Sequence, residues 1–513
     1  MKKFIALSLL GILIIAFSAT VYAQKLEMKI SGFVDSQSFW YRNVTPANPA
    51  AGIYQAIAGD YKVPGNYTVS TTTGTPPVTT TYQKAAFNKS IAYMESRSRL
   101  KFDAVMDKNL SGTIFFEMDS GRWGDTSPSG AQRNAFGYWA GDRAAVEVKN
   151  TYIDFGLPYF GIPVPMTMRV GLQPLSIRNN LLVYTDGMGV TAGLNIDPLM
   201  IQPLWFKALE GKDARSDDVD VYGLHANVKI DTVTVGGYAL YYDMKSYPFF
   251  PDPAPAYGLP ATNNSAKMWW LGAYMDGKLG PVNLNLDFIY DTGKVESRTD
   301  GIRSVDYDGW VGYLKMDYPW DLFNFGLVGM YASGADAKKT NTTGQANGTN
   351  KKVSSYVVPP GSETGAIFGE SLVVYSSWVN RGDSGIGNSL NYTQMSRGPV
   401  GGTWLAKLYG SYKIAPWYKM TLAVLYVGDT TKNGDTFGNS KDSEGNLKDN
   451  KTIGWEFDLY NEFQIYKNLK YTVAGGILAS GNALNFSDPS SEDCGNKKLK
   501  SPWIITTNLT YNF

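Results

Sequence analysis

A single cysteine, Cys494, and a single histidine, His225, stand in 513 residues. One thiol cannot close an internal disulfide and one imidazole cannot build a histidine-based metal site, so a disulfide scaffold and a structural zinc are excluded. Net charge is missing too. Lysine and arginine number 47 against 46 aspartate and glutamate, and setting aside Lys2 and Lys3 leaves 45 against 46. No global basic field awaits nucleic acid, so charge has to be read locally. The third absence is a long apolar run. Beyond the N-terminal stretch no segment nears the roughly 20 uninterrupted apolar residues of a spanning helix, which disfavours a helical membrane protein.

What is present at the N-terminus is a leader. Lys2 and Lys3 precede the apolar run Phe4 to Phe17, and Val21-Tyr22-Ala23 offers small residues for cleavage, so residues 1–23 read as a secretory signal and 24–513 as the mature chain. No cysteine follows the cleavage site directly, so the mature chain is not expected to carry a lipid anchor. At the other end Trp503, Ile505, Leu509, Tyr511 and the terminal Phe513 share one strand face, with Thr506, Asn508, Thr510 and Asn512 on the other. A closing strand that is aromatic outside and polar inside fits a transmembrane barrel. The ending resembles the terminal signal of bacterial outer-membrane barrels, which implies that Tyr511 and Phe513 address the barrel-assembly machinery.

The composition agrees with an all-β, up-and-down antiparallel barrel. Fifty-four glycines, 34 tyrosines and 13 tryptophans accompany 18% charged residues. A mean hydropathy of -0.22 averages over two unlike faces. Alternating segments of about ten residues, the length of a tilted spanning strand, can be placed sixteen times. Seven short connections separate them, at Asp107-Lys108-Asn109, 156–163, Asp231, 277–281, 319–322, Ala415-Pro416-Trp417 and Tyr466-Lys467-Asn468. Eight long connections fall at 42–89, 120–143, 174–218, 245–265, 293–304, 334–401, 429–452 and 481–500. Periplasmic turns and external loops alternate in this way in outer-membrane barrels.

The period of two is clearest from Ala92 to Met106. Ala92, Met94, Leu100, Phe102, Ala104 and Met106 form the lipid side, while Glu95, Arg97, Arg99, Lys101 and Asp103 form the other. Five ionisable groups on one face require water or opposing charge there. The same alternation puts Glu117, Asp119, Glu147, Lys149, Arg169, Asp287, Asp291, Lys407, Lys413, Glu456, Asp458 and Glu462 on a hydrated inner wall. Aromatic residues near the strand ends, among them Trp40, Tyr41, Tyr159, Phe160, Trp320, Trp417, Tyr418, Tyr466 and Trp503, read as interfacial girdles.

The connection 174–218 is too apolar for a solvated loop, with Leu181-Leu182-Val183, Leu199-Met200-Ile201 and Leu204-Trp205-Phe206. Folding it inward against the wall gives those side chains a surface. Arg178, Asp186, Asp197, Lys207 and Glu210 would then face Arg97, Arg99, Lys101 and Arg169 across a constriction, with Glu95 and Glu117 beside them. By contrast 42–89 and 334–401 are rich in Thr, Gly, Pro, Asn and Ser and read as mobile surface cover.

Arg97-Ser-Arg-Leu-Lys-Phe, Asn109-Leu-Ser-Gly-Thr, Val170-Gly-Leu-Gln and the terminal Phe513 occur in a porin-like order, and the chain resembles Gram-negative trimeric porins over essentially its whole mature length. It is similar in particular to porins of metal- and sulfate-reducing bacteria. The resemblance implies a homotrimer in the outer membrane, in contact with its lipid, whose third loop narrows the pore. The usual porin eyelet pattern is not reproduced residue for residue.

Apparent catalytic strings fail on context. Gly272 to Lys278 spells G-x-x-x-x-G-K, yet Leu279 stands where a phosphate loop needs Ser or Thr. His225 sits on an inner face with Asn227 and Lys229, without a catalytic string around it. No enzyme, no cofactor and no metal are expected. The expected function is passive diffusion of ions and small hydrophilic solutes. The alternative is a sheath for a periplasmic multihaem cytochrome, whose haem would have to come from the partner, since the chain has no C-x-x-C-H.

Overall fold

The structure is a computed structural model. It describes residues 26–42, 67–71, 78–82, 90–119, 123–124, 146–157, 165–211, 216–248, 264–339, 352–363, 368–375, 395–438, 440–487, 496–498 and 500–513. The leader 1–23 and the aromatic pair Tyr159 and Phe160 lie outside these residues.

Eighteen antiparallel strands form the wall. The first nine are β1 (Glu27–Arg42), β2 (Ser90–Asp107), β3 (Leu110–Asp119), β4 (Glu147–Leu157), β5 (Met166–Ile177), β6 (Val183–Ile196), β7 (Leu199–Leu209), β8 (Val219–Ile230) and β9 (Val233–Tyr247). The second nine are β10 (Asn264–Leu279), β11 (Val282–Ser297), β12 (Trp310–Trp320), β13 (Phe323–Ala332), β14 (Thr403–Ala415), β15 (Tyr418–Asp429), β16 (Thr452–Tyr466), β17 (Leu469–Ser480) and β18 (Trp503–Asn512). Each strand pairs with its neighbours in the chain, and β1 pairs with β18 from Phe33↔Asn512 to Arg42↔Trp503, so the sheet has no free edge. Closure matters because an open edge in lipid would strand backbone N–H and C=O groups without partners. Phe513 completes the seam, exchanging two backbone hydrogen bonds of 3.0 Å with Gly32.

The expected sixteen strands are thus corrected to eighteen. Both additional strands lie inside 174–218: Leu181 and Leu182 sit in the turn that leads into β6 at Val183, and the triplets Leu199-Met200-Ile201 and Leu204-Trp205-Phe206 belong to β7. β6 and β7 are joined by a turn at Asp197-Pro198, inside the stretch expected to be one loop. Six of the seven expected short turns are found among the described residues, that expected at 156–163 lies mostly outside them, and Asp197-Pro198 is a further one.

Side chains alternate as the period of two requires. Met94, Ile114, Ile153, Ile230, Leu408, Leu422 and Phe457 point away from the lumen, with Leu408 63% and Ile230 61% exposed. So large an apolar outer band would be an aggregation surface in water, and it suits a lipid environment. Two aromatic belts bound it. At the loop end Tyr241 stacks on Trp269 at 4.5 Å and Trp310 on Tyr331 at 5.1 Å; at the short-turn end Phe323 stacks on Tyr412 at 4.5 Å and Tyr418 on Phe463 at 4.8 Å. From Trp310 to Trp320 the strand advances ten residues, about 34 Å, or about 26 Å along the barrel axis at a tilt of roughly 40°. That is close to the height of the apolar band of transmembrane barrels, about 25 Å. Trp320, Trp417 and Tyr466 are exposed at the short-turn end as the sequence suggests, whereas Tyr41 is fully buried and faces inward. Among the described residues no helix is long and apolar enough to cross a membrane.

The buried core lies inside the cylinder. Trp270, Tyr242, Tyr247, Leu181, Leu182, Tyr356, Val373 and Val374 pack there, between the wall and two segments that enter it.

Candidate functional site

The first inward segment is a hairpin. β4 follows β5 only as far as Thr151↔Leu172, and β7 follows β6 only from Met188↔Lys207, while Gln173 to Ile177 pair with Val183 to Gly187 alone. Released from both neighbours, residues 173–187 leave the wall. Gly171 marks the departure at φ +132°, where a Cβ would lie 2.4 Å from the Thr151 carbonyl oxygen, so only glycine fits without displacement. Where an inward loop over 174–218 is expected, the structure turns only residues 173–187 inward, and 188–209 return to the wall.

Charge holds the hairpin in place. Asp186 accepts hydrogen bonds from Lys149 Nζ at 2.8 Å and Asn150 Nδ2 at 2.7 Å on the inner wall. At the tip the Arg178 guanidinium pairs with Asp276 on β10 and Asp287 on β11, and it lies 4.5 Å over the Tyr274 ring. His225 joins this cluster through a 2.8 Å hydrogen bond to the Tyr274 hydroxyl.

The second inward segment comes from 333–402, between β13 and β14. Its described parts are anchored across the lumen. The Trp270 indole donates to the Val357 carbonyl at 2.8 Å, Asp291 accepts the amides of Gly309 and Val357 at 3.1 Å each, and the Tyr356 hydroxyl donates to the Leu181 carbonyl at 2.9 Å. The amide of Glu363 donates to the Tyr184 carbonyl at 2.8 Å, which ties the loop to the hairpin. Further along, the Glu456 carboxylate accepts three successive amides, Leu372, Val373 and Val374, at 2.7 to 3.0 Å. Between these anchors Glu370 meets Lys315 and Lys407 at 3.1 Å each and the Tyr313 hydroxyl at 2.8 Å. Burial pushes the Glu370 carboxyl up, but the two lysines more than offset this and hold it below the usual glutamate range. The expectation of a mobile surface loop for 334–401 is corrected here: Tyr356-Val357-Val358 and Leu372-Val373-Val374-Tyr375 are apolar enough to seek the interior, a signal outweighed in the sequence by the polar run at 339–348.

Between the hairpin tip and the described parts of loop 333–402 lies a cavity of ≈ 540 Å³, lined by Ser176, Arg178, Asn179, Asn180, Asn285, Tyr313, Lys315 and Glu370. The structure brings some of the expected constriction residues together and disperses others. Glu95, Arg97, Arg99, Lys101 and Glu117 line the inner wall. Arg97 is bidentate to Asp119 at 2.6 Å, Arg99 is ion-paired with Glu117, and Lys101 lies 3.0 Å from Asp103. Arg169 is bidentate to Asp154 and covers the Tyr152 ring. Arg178 and Asp186 are on the inward hairpin. Asp197, however, is in the exposed turn at the opposite end. Lys207 lies on the outer surface, where alternation with inward Phe206 places it, bound to Glu210, Asp218 and Asp220 at 3.0 to 3.3 Å. Lys207 and Glu210 thus belong to the outer rim, and the reason is the unforeseen return of β7 to the wall. Conversely Lys315, Glu370 and Asn285 line the cavity without having been singled out.

The fold and its lining define a closed, polar-centred antiparallel barrel narrowed by its own loops. No family model and no curated protein matches the sequence. Among solved structures the chain is similar to the outer-membrane protein OpdK of Pseudomonas aeruginosa, with 9% identity and a TM-score of 0.46 over 95% of this chain and 98% of that one. It is similar to OpdQ of Pseudomonas aeruginosa at 9% identity and a TM-score of 0.46, covering 95% and 97%, and to OccAB4 of Acinetobacter baumannii at 10% and 0.46, covering 96% and 100%.

Proposed function

We propose that the protein is an outer-membrane channel through which small hydrophilic solutes and ions diffuse passively. The observation that carries this reading is the two-faced closed barrel: lipid-compatible side chains outside, and paired ionic groups inside around a polar narrowing. Diffusion through such a lumen needs no energy source and no catalytic group. On this reading the loop end of the barrel, from which the hairpin 173–187 and loop 333–402 turn inward, faces the exterior and the short-turn end faces the periplasm, after removal of 1–23. A lumen crossed by the described parts of 333–402 favours solutes over an inserted cytochrome. The terminal Tyr511 and Phe513, whose rings lie 5.8 Å apart beside the β1–β18 seam, suit recognition by the assembly machinery, and the resemblance to trimeric porins extends the proposal to a homotrimer. The test is conductance of the purified, refolded protein in a planar bilayer. Discrete open steps support the channel, and in threes they support the trimer; silence from a correctly folded barrel refutes diffusion.

A further inference from the structure

The charges around the cavity cancel. Arg178, Lys315 and Lys407 supply three positive charges, and Asp276, Asp287 and Glu370 supply three negative ones, all six engaged with one another. Both aspartates grip Arg178, one of its faces is covered by Tyr274, and both carboxylate oxygens of Glu370 are taken. Every cation among these six is already ion-paired with a carboxylate, and every carboxylate with a cation. What remains open is neutral. Ser176, Asn179 and Asn180 line the cavity, and among the described residues their side chains make no hydrogen bond. Each amide offers two donors and an acceptor, a match for vicinal hydroxyl groups.

Resting on the channel reading above, we infer that this cavity is a selectivity site for neutral polyhydroxylated solutes of mono- or disaccharide size, read by Asn179, Asn180 and Ser176. A neutral polyol exchanges water hydrogen bonds for amide hydrogen bonds at little cost. A charged solute of the same shape gives up hydration and meets only counter-ions that are already paired, so it has to compete with an existing pair or cross without one. The volume of ≈ 540 Å³ lies within the range of small-molecule sites.

The experiment compares glucose, glucuronate and protonated glucosamine, each radiolabelled, entering liposomes that contain the purified full-length protein, with potassium chloride conductance measured in parallel. Glucose is expected to enter about fivefold faster than either charged analogue, the loss of a hydrogen bond or two. In the N179A/N180A double variant that preference is expected to collapse towards unity, and Ser176→Ala, a smaller change at the same cavity, should reduce it part of the way. Conductance with equal entry of the three solutes, or with a charged analogue fastest, overturns the inference and leaves the channel standing. An unchanged preference in both folded variants overturns the assignment to these side chains. Absence of conductance and of all solute entry refutes the channel itself.

Discussion

Replacing Glu370 by glutamine removes one negative charge while keeping the side chain's size, which makes it a clean probe of the narrowing. The carboxylate holds Lys315 and Lys407 at 3.1 Å each, and in the Lys407 pair both side chains are only 9% exposed. The substitution leaves two positive charges where the triad had a net of one. At roughly 6 Å from a permeating ion, an added unit charge is worth about 0.7 kcal/mol in a water-like dielectric and about 3 kcal/mol at an effective dielectric of 20. The anion-to-cation permeability ratio should therefore rise by at least about threefold at the lower figure. The measurement is the reversal potential under a salt gradient, held near 0.1 M because the Debye length there is about 10 Å and higher salt would mask the effect. Lys407 also donates to the Glu370 backbone carbonyl at 2.8 Å, a bond the variant keeps, so the loop has reason to stay seated. A folded E370Q protein whose reversal potential equals that of the wild type would refute the placement of this triad beside the ion path.

Arg178→Ala leaves Asp276 and Asp287 without their cation, and Asp287 has only 1% of its side chain exposed. Removing one partner of such a pair costs about 3–5 kcal/mol where burial is complete, so the tip should lose protection in hydrogen exchange while permeation shifts towards cations; unchanged protection at 173–187 would contradict the anchor. Gly171→Ala should destabilise the hairpin by about 1–3 kcal/mol in denaturant titration, whereas Gly112→Ala, where a Cβ meets nothing within 4 Å, should be neutral; equal effects would remove the argument from backbone conformation. Acidification tests Glu370 from the other side. Its folded-state pKa is depressed, so its contribution is present above the ordinary glutamate value of 4.5 and is lost only as pH falls through the lower folded value. Channel properties that depend on the triad should hold at pH 5 and change only as pH falls below the ordinary glutamate value; a transition near neutrality would exclude Glu370 as its source.

Much of the barrel was legible because alternation is a local signal. On β2 the ionic residues 95–103 and their apolar neighbours name both faces without any tertiary knowledge, and every short turn but one shows as Asp, Asn, Gly or Pro between alternating runs. The exception, Asp197-Pro198, failed for a physical reason. Gly187, Gly189, Gly193, Pro198 and Pro203 interrupt the pattern across β6 and β7, and a segment that is apolar without clear period reads equally well as a buried loop. Arg178 and Asp186 were recognisable as charges inside an apolar stretch. Glu370 was not, because its meaning depends on Lys315 and Lys407, which lie 55 and 37 positions away. Composition also misled at 334–401, where a polar run hid two short apolar segments that fix the whole loop in the lumen.

Loop 333–402 touches β6, β9, β10, β11, β12, β14 and β16, through partners on separate arcs of the cylinder, including a hydrogen bond of 3.1 Å from the Met395 amide to the Tyr247 hydroxyl. A ring of strands is easily flattened by lateral pressure, because ovalisation breaks no hydrogen bond between neighbours. Spokes resist it. The loop that narrows the passage thus also keeps the cross-section round, so that a proteolytic cut within it would be felt as softening of the wall and not merely as a wider hole.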